Sequence, residues 1–349
     1  MKNEKYTQMI SFGGEAQTKS SQGVYTDVHE ERDEFVTLLP NESRMVYKRA
    51  VDGILLLDKP IGMTSNKALQ IVKRCFNARK AGHTGSLDPL ASGMLPICLG
   101  QATKFSQYLL ESDKHYHVIC KLGITTTTGD VEGEIVESNI VEGFTNQRIN
   151  EVLSSFQGNI EQIPSMYSAI KHNGQPLYKL ARKGITVERK ARIITIFKLS
   201  LIEYKQDILE LDVVCSKGTY IRTLVEDIGK ELGCGAHVTA LRRLSSGSYC
   251  SEQMVDLQTV QSLVDSSDYT QMISFMDKLL LPIESMFTGW QEVYLSDPAI
   301  YYLRQGQAII YPYKNLIKGK VNLLTKEGKF LGVGEILDDG KVAPHRLIC

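Results

Sequence analysis

The sequence lacks the features that define disulfide-rich, zinc-binding and membrane-spanning proteins. Its seven cysteines are odd in number and include no C-x-x-C pair, which argues against a disulfide framework and against a zinc site. No apolar stretch is long enough to cross a bilayer, and residues 1–15 contain no apolar signal core. We therefore expect a cytoplasmic protein, where cysteines stay reduced, that binds neither a metal nor a membrane.

The sequence also lacks a net charge, because its 40 basic and 40 acidic residues balance. The local distribution is more informative than this total. Between Lys171 and Lys198, eight basic residues accompany a single acidic residue, Glu188. Such an excess can bind phosphate groups even on a neutral protein. A solvated helix and loop surface is the alternative interpretation of the same segment.

Length and composition divide the 349 residues into four segments. Residues 1–49 are polar and weakly periodic, and we predict that they form a disordered extension. Residues 50–251 are predicted to form a large domain and residues 252–289 a helical connector. Residues 290–349 contain short β-like pieces that alternate with turns, which indicates a small β-rich domain.

Strand and helix signals are mixed within the large domain. Ile54–Leu57 is a short apolar run before a turn, and Thr64 or the serine after it can cap a helix. Tyr116–Leu122 alternates as on the face of a strand, and a polar turn separates two further strands, Ile193–Tyr204 and Ile208–Cys215. The order shows no strict strand–helix–strand rhythm. It favours an α+β fold with a mixed, largely antiparallel sheet flanked by helices.

The glycine-rich loop Gly82–Gly93 contains Asp88. An isolated Asp-Pro pair is usually a turn, and on that evidence alone the turn interpretation wins. This loop, however, lies between a helix and an apolar run, and its glycines allow the backbone to approach a bulky ligand. A carboxylate held in such a loop can act as a covalent nucleophile.

Five strings occur as spaced motifs: GILLLDKPIGMTSN (Gly53–Asn66), AGHTGSLDPLASGMLPICLGQATKF (Ala81–Phe105), SDKHYHVICKLG (Ser112–Gly123), QIPSMYSAIK (Gln162–Lys171) and CSKGTYIRTL (Cys215–Leu224). In this order and spacing they resemble the bacterial tRNA pseudouridine-55 synthases, the TruB family. The resemblance covers the chain from Gly53 onward. It implies that 50–251 is a pseudouridine-synthase core and that 290–349, through the string at Gly328–Ile348, is a small barrel-like RNA-binding domain of the PUA type.

The resemblance implies isomerisation of uridine 55 in the T-loop of transfer RNA to pseudouridine, with no cofactor. The reaction breaks the C1′–N1 bond, turns the detached uracil and joins C1′ to C5. A carboxylate can attack the sugar or stabilise positive charge at C1′, as in glycosidases. The base must leave its stack, which is easiest in an RNA loop. We expect a monomer that binds the T-arm and has no protein partner.

Matching positions give three residues catalytic roles that the resemblance implies. Asp88 aligns with the catalytic aspartate, and Arg222 in GTYIRT aligns with the arginine that pairs with it. Tyr116 in KHYHV aligns with the tyrosine that packs on the target uracil and assists proton removal at C5. A nearby guanidinium favours the charged form of a carboxylate and fixes its geometry.

Four further residues are candidates for substrate binding. Lys59 in LDKP aligns with a lysine of the active site, and His83 with a histidine that fills the space left by the flipped base. Leu244 in LRRL aligns with an apolar wall of the uracil pocket, and Tyr220 lies within the arginine motif GTYIRT. Taken singly, such side chains are more often ordinary core or surface residues. Their joint occurrence in one family's motifs favours the functional interpretation.

Three other functions stay open at this point. A non-catalytic protein could bind transfer RNA and help it fold through the same surface. A hydrolytic glycosidase would use related carboxylate chemistry and release free uracil, but the sequence shows no clear second acid. A synthase guided by a separate RNA would share the same core, although the bacterial-type motifs and the short C-terminal domain favour a stand-alone enzyme.

Overall fold

The computed structural model describes residues 48–264, 268–311 and 317–348. The predicted disordered extension lies outside these residues, apart from its last two positions. The strands are β1 (Gly53–Lys59), β2 (Ala81–His83), β3 (Ala91–Leu99), β4 (Lys114–Leu122), β5 (Ile124–Thr126), β6 (Ile135–Ser138), β7 (Gly158–Gln162), β8 (Lys171–His172), β9 (Gln175–Pro176), β10 (Arg192–Lys205), β11 (Ile208–Cys215), β12 (Ala236–Ser246), β13 (Val255–Asp256), β14 (Glu292–Leu295), β15 (Ile309–Ile310), β16 (Gly319–Thr325), β17 (Phe330–Ile336) and β18 (Lys341–Leu347). The helices are α1 (Ser65–Cys75), α2 (Ser106–Leu110), α3 (Asn146–Ser155), α4 (Leu177–Ala181), α5 (Ile221–Glu231), α6 (Leu257–Val264), α7 (Tyr269–Lys278) and α8 (Asp297–Arg304).

A large mixed sheet organises the part of the chain before residue 257. Its strands follow the order β13-β1-β3-β12-β4-β11-β10-β7, and β2 pairs with β3. The β1–β13 and β3–β12 pairs are parallel, while the other pairs are antiparallel. The predicted α+β class with a mixed, largely antiparallel sheet is confirmed.

The alternation along β4 places one face of this sheet in the core. Tyr116, Val118, Cys120 and Leu122 are buried, whereas the residues between them are half-buried. The buried face packs against apolar residues of α3 and α5, and together they form one cluster. Strand side chains point to opposite faces in turn, so a period of two in the sequence becomes a covered face and an open face.

The segment predicted as a helical connector is helical, but it also packs on the sheet. Thr64 caps α1 by accepting a hydrogen bond from the Lys67 backbone N–H, as the sequence indicates. The face of α1 then contacts α6 and α7, in which Val260 and Met276 are fully buried. The same segment contributes β13, which pairs with β1 beside Leu57. Its helices therefore belong to the core of the large domain.

The small C-terminal sheet has the strand order β14-β16-β17-β18-β15. An aromatic cluster joins it to the large domain: Phe287 lies 5.8 Å from Phe105, 5.0 Å from Tyr108 and 5.7 Å from Phe330, measured between ring centroids. The predicted β-rich C-terminal domain is thus confirmed. None of the helices in the described ranges is long and apolar enough to cross a membrane.

The central strand β12 is an element that the sequence did not indicate. Its burial does not alternate regularly, because register shifts occur between Val238 and Ala240 and between Arg243 and Ser245. Each bulge inserts one residue and interrupts the period of two. Two adjacent arginines also interrupt the alternation of apolar and polar residues by which a strand is recognised in a sequence. β12 nevertheless lies between β3 and β4, the strands that position the candidate site.

We predict that Phe287→Ala lowers the free energy of unfolding by about 3–5 kcal/mol, because it leaves a cavity where the two sheets meet. The measurement is urea-induced unfolding followed by fluorescence. Phe275→Ala, on the exposed side of α7, is the matched control and should cost less than about 1 kcal/mol. Equal losses for the two variants would contradict the role assigned to the aromatic cluster.

Candidate active site

The Asp88 loop (residues 84–90) connects β2 to β3 and is tied to the helix that precedes it. The Ser65 hydroxyl donates to the Leu87 carbonyl at 3.0 Å and accepts from the Leu87 N–H at 2.8 Å. The Gly62 N–H donates to the Pro89 carbonyl at 2.8 Å. These bonds flank Asp88 on both sides, so the loop is held in one shape although it has no regular secondary structure.

Two glycines give the loop and its neighbouring strand room for Arg243 of β12. Gly85 and Gly93 have φ values of 101° and 96°, which side chains rarely adopt. A Cβ atom at Gly93 would lie 2.3 Å from the Arg243 carbonyl oxygen. The glycine-rich loop recognised in the sequence is therefore needed for close packing against β12.

Arg222, the second residue of α5, brings the site together. Its Nε lies 2.9 Å from Oδ2 of Asp88, and its Nη1 lies 3.3 Å from Oδ2 of Asp130. Nη1 also donates to the Thr128 carbonyl and Nη2 to the Tyr167 carbonyl, each at 2.8 Å. Nε and both terminal nitrogens of the buried guanidinium are thus engaged by groups from three other segments of the chain.

Asp130 is a site residue that the sequence analysis missed. It lies between β5 and β6, is 3% exposed, and accepts hydrogen bonds from the Thr128 hydroxyl and the Glu132 N–H. In the sequence, the Gly-Asp pair follows a run of four threonines and comes shortly before another glycine, which indicates an ordinary turn. Only the packing of this turn against α5 shows that the Asp130 carboxylate and the Asp88 carboxylate both bind Arg222.

The environment of Asp88 acts on its pKa in opposing directions. Burial of the carboxyl raises the pKa above its ordinary value, Arg222 lowers it, and the negative charge of Asp130 raises it again. The lowering that we expected from the guanidinium is present, but burial outweighs it. The Asp88 side chain is still 38% exposed, so a substrate can reach a carboxylate that Arg222 keeps in a fixed orientation.

The structure places Tyr116 beneath the Asp88 loop. The tyrosine lies on β4, is 9% exposed, and belongs to the same buried cluster as Leu87 and Leu90 of the loop. Burial raises the pKa of its hydroxyl, and Arg243 partly offsets this effect through its positive charge. Tyr116 therefore packs with the loop that carries the candidate nucleophile, and its part in proton removal stays a prediction.

Lys59 and His83 are two further titratable groups near the loop. Lys59, at the end of β1, is fully buried and donates to the Pro60 and Met63 carbonyls at 2.8 and 2.6 Å. Burial lowers its pKa to about 8, although Asp88 opposes the change. Burial and the charge of Arg243 also lower the pKa of His83, which favours a neutral imidazole. Its buried Nδ1 has no hydrogen-bond partner among the described residues.

The two remaining candidates, Tyr220 and Leu244, lie on different elements. Tyr220 precedes α5, and Gln162 binds both its N–H and its carbonyl at 2.8 and 3.1 Å, which fixes the start of the helix that carries Arg222. Leu244 lies at a bulge of β12 and outside the buried cluster that contains Tyr116. Leu241, three residues earlier, belongs to that cluster and is 7% exposed. Of the two leucines, Leu241 is therefore the one that shares a buried cluster with Tyr116, and the role of Leu244 as an apolar wall stays a prediction.

Comparisons with known proteins agree with this geometry. Residues 73–221 match the family model described as TruB family pseudouridylate synthase (N terminal domain). Residues 222–288 match the tRNA pseudouridylate synthase B C-terminal domain, and residues 292–348 match the model called Pseudouridine synthase II TruB, C-terminal. A relative named tRNA pseudouridine synthase B from Coxiella burnetii (strain RSA 493 / Nine Mile phase I) is 53% identical, with 87% of this chain and 96% of the relative covered.

The chain belongs to the TruB family. A second family member, the tRNA pseudouridine synthase B of Shewanella sp. (strain MR-4), is 51% identical over 86% of this chain and 95% of the relative. Among solved structures, an H/ACA ribonucleoprotein bound to a substrate RNA containing 2′-deoxyuridine is 25% identical and covers 85% of each chain, with a TM-score of 0.64. The TruB sheet and its C-terminal addition thus recur in a distant relative.

The buried lysine of this TruB-family site predicts a specific pH dependence of stability. The pKa of Lys59 is about 8 in the folded protein and 10.5 in the unfolded chain, so the unfolded chain binds more protons between these values. Stability therefore rises with pH in this window. We expect wild type to gain roughly 1.4 kcal/mol per pH unit relative to Lys59→Met.

Urea unfolding of both proteins between pH 8 and 10.5 measures this difference. Lys67→Met, at an exposed position of α1, is the matched control and should follow the wild-type pH dependence. A Lys59→Met protein whose stability changes with pH as steeply as wild type would show that Lys59 is not the group that titrates.

Proposed function

We propose that this chain isomerises uridine 55 in the T-loop of transfer RNA to pseudouridine, with Asp88 as the nucleophile. One observation carries the proposal: Asp88 is oriented by Arg222 at an accessible point of a rigid loop, with Tyr116 buried beneath it. Relatives more than half identical to this chain are named tRNA pseudouridine synthase B, which supports the same substrate class.

The proposed reaction needs only groups of the chain and of the RNA. The Asp88 carboxylate attacks C1′ while the C1′–N1 bond breaks and leaves its electron pair on uracil. The uracil turns in the pocket, C5 bonds to C1′, and the bond from Asp88 to C1′ breaks. The hydrogen on C5 then leaves as a proton, for which Tyr116 is the proposed acceptor, and N1 takes up a proton in its place. The product has the same composition as the substrate, so the balance requires no oxidant, reductant or cofactor.

Arg222 serves this reaction by holding the nucleophile. A carboxylate must stay ionised and aimed at C1′ inside a pocket that excludes bulk water. The charge-assisted bond from Nε fixes its orientation, and Asp130 on the other side of the guanidinium fixes the arginine. Asp130 itself is 3% exposed, so it is poorly placed to act on a sugar. This burial argues against the two-acid arrangement of a hydrolytic glycosidase.

We further propose that the basic segment Lys171–Lys198 contacts the phosphates of the T-arm. Its lysines and arginines are mostly exposed, and the segment follows Tyr167, whose carbonyl binds Arg222. RNA held there would lie against the candidate site. Phosphate contacts of this kind position the RNA without reading its sequence. The proposed PUA-like domain at 290–349 would extend the same interaction to the body of the transfer RNA.

Tritium release from transfer RNA labelled at uridine C5 tests the reaction directly, because a bond to C5 must expel that hydrogen. We expect release with wild type and none above background with Asp88→Asn. Affinity for the RNA should stay within a few-fold, because asparagine keeps the shape of the loop. Asp113→Asn, an exposed position before β4, removes the same charge elsewhere and should retain full activity.

The outcomes separate the competing functions. Turnover by Asp88→Asn would eliminate Asp88 as the nucleophile. Tight binding by wild type without tritium release would favour a non-catalytic RNA-folding protein. Release of free uracil in place of pseudouridine, seen by chromatography of the digested RNA, would indicate a glycosidase.

The basic segment predicts a steep dependence of RNA affinity on salt. Contacts to several phosphates should lower affinity by orders of magnitude between about 50 and 200 mM salt. Replacing Arg182 and Lys183 by glutamine should reduce the slope by about one per lost phosphate contact. Replacing Lys205 and Lys278, both exposed but outside this segment, is the matched control. Filter binding at a series of salt concentrations gives both slopes, and identical slopes would remove the segment from the RNA interface.

A further inference from the structure

Arg243 has a large, fully buried side chain to which the proposed reaction assigns no role. It is 1% exposed and lies on β12, where its Cα pairs with Tyr116 of β4 on one side and with Gly93 of β3 on the other. A single residue therefore adjoins both the candidate tyrosine and the strand that follows the Asp88 loop.

The guanidinium of Arg243 connects these elements through its side chain. Nε donates to the Met94 carbonyl of β3 at 2.6 Å, and Nη2 donates to the Gly85 carbonyl of the Asp88 loop at 3.1 Å. Its positive charge also acts on Tyr116, which it faces across the β4–β12 pair. The planar fork of arginine holds both carbonyls at once, which the single ammonium group of lysine cannot reproduce.

Within the part of the chain that the structure describes, the charge of Arg243 has no carboxylate partner. Among the ion pairs of the described residues, Arg222 binds Asp88 and Asp130, while Arg243 takes part in none. The charged and titratable groups that face it include Lys59, Lys114 and His83, each with a pKa that Arg243 lowers.

An unpaired buried cation among other cationic groups costs stability. Its presence is explained if a neighbouring group becomes negative during the reaction. The titratable groups that act on Tyr116 are Arg243, Cys215 and Asp88, and only Arg243 is positively charged. The Tyr116 hydroxyl is thus the neighbour that this charge can serve.

We propose that Arg243 is a positioning residue of the isomerisation: it orients the Tyr116 hydroxyl, anchors the Asp88 loop at Gly85, and stabilises Tyr116 as a phenolate while the C5 proton is removed. The phenol proton leaves to solvent, the phenolate oxygen then takes the proton from C5, and the electron pair of that bond restores the uracil ring while N1 takes up one proton from solvent. This inference rests on the proposed function, because it assigns Arg243 a role in that reaction.

The first test is a double-mutant cycle on single-turnover tritium release. Arg243→Gln should slow the release by about tenfold or more, equivalent to about 1.4 kcal/mol, while RNA affinity stays within a few-fold. In a Tyr116→Phe background the same change should cost clearly less, because only the bond from Arg243 to the Asp88 loop remains to be lost. Arg243→Lys keeps the charge and should recover part of the rate. Equal losses in both backgrounds would reduce Arg243 to a structural residue and overturn the inference.

The second test needs no RNA and therefore separates the two proposals. Tyrosine labelled with ¹³C at Cζ reports ionisation of the Tyr116 hydroxyl by NMR, and the Tyr116→Phe spectrum identifies its signal. Removing the neighbouring cation disfavours the phenolate, so Arg243→Gln should move this titration to higher pH by a unit or more. Arg242→Gln, at the adjacent arginine that pairs with Asp58, is the matched control and should leave the titration in place.

Two results with a folded Arg243→Gln protein would overturn the inference. In the first, Tyr116 titrates at the same pH as in wild type. In the second, Tyr116 stays protonated in both proteins until they unfold. Thermal melting of each variant establishes that it is folded. A shifted Tyr116 titration in a protein that releases no tritium would instead count against the proposed function and leave the coupling between Arg243 and Tyr116 intact.

Discussion

Burial of the Arg222 guanidinium is the constraint on which the rest of the site depends. Removing one partner of a buried ion pair typically costs about 3–5 kcal/mol, so a buried arginine must be fully engaged. Here the partners are two carboxylates, Asp88 and Asp130, and the carbonyls of Thr128 and Tyr167. They come from three segments far apart in sequence. The arginine therefore fixes the Asp88 loop, the β5–β6 turn and the residues before β8 with respect to α5.

The same arrangement explains how a carboxylate can be both fixed and reactive. Arg222 draws Asp88 toward the ionised state, while burial and the nearby Asp130 raise its pKa. Because the guanidinium is shared, neither carboxylate is fully neutralised. Asp130 is sealed in the protein, and Asp88 keeps an open side toward solvent. The buried member holds the arginine, and the exposed member remains available for a substrate.

Two strands at the centre of the sheet set the floor of the site. β4 carries Tyr116, and β12 beside it carries Arg243, which reaches back to the loop at Gly85. The bulge after Arg243 turns Leu244 away from the cluster that Leu241 joins. A shift of one residue in a strand moves a side chain to the opposite face. For this reason the motif LRRL does not by itself show which of its two leucines faces the buried cluster.

The sequence by itself determined the fold class and the family, and it predicted Asp88, Tyr116 and Arg222 as members of one site. Period-two alternation identified β4, capping chemistry identified α1, and the motifs around Asp88, Tyr116 and Arg222 identified the family. These signals are local, because each depends on neighbouring residues in the chain. Asp130 and Arg243 were decided only by the tertiary structure. In the sequence, Asp130 looks like a turn residue and Arg243 like one of two adjacent surface arginines. Their roles come from partners that folding brings close. Buried charge has no local signature, since its neutralisation depends on residues distant in sequence.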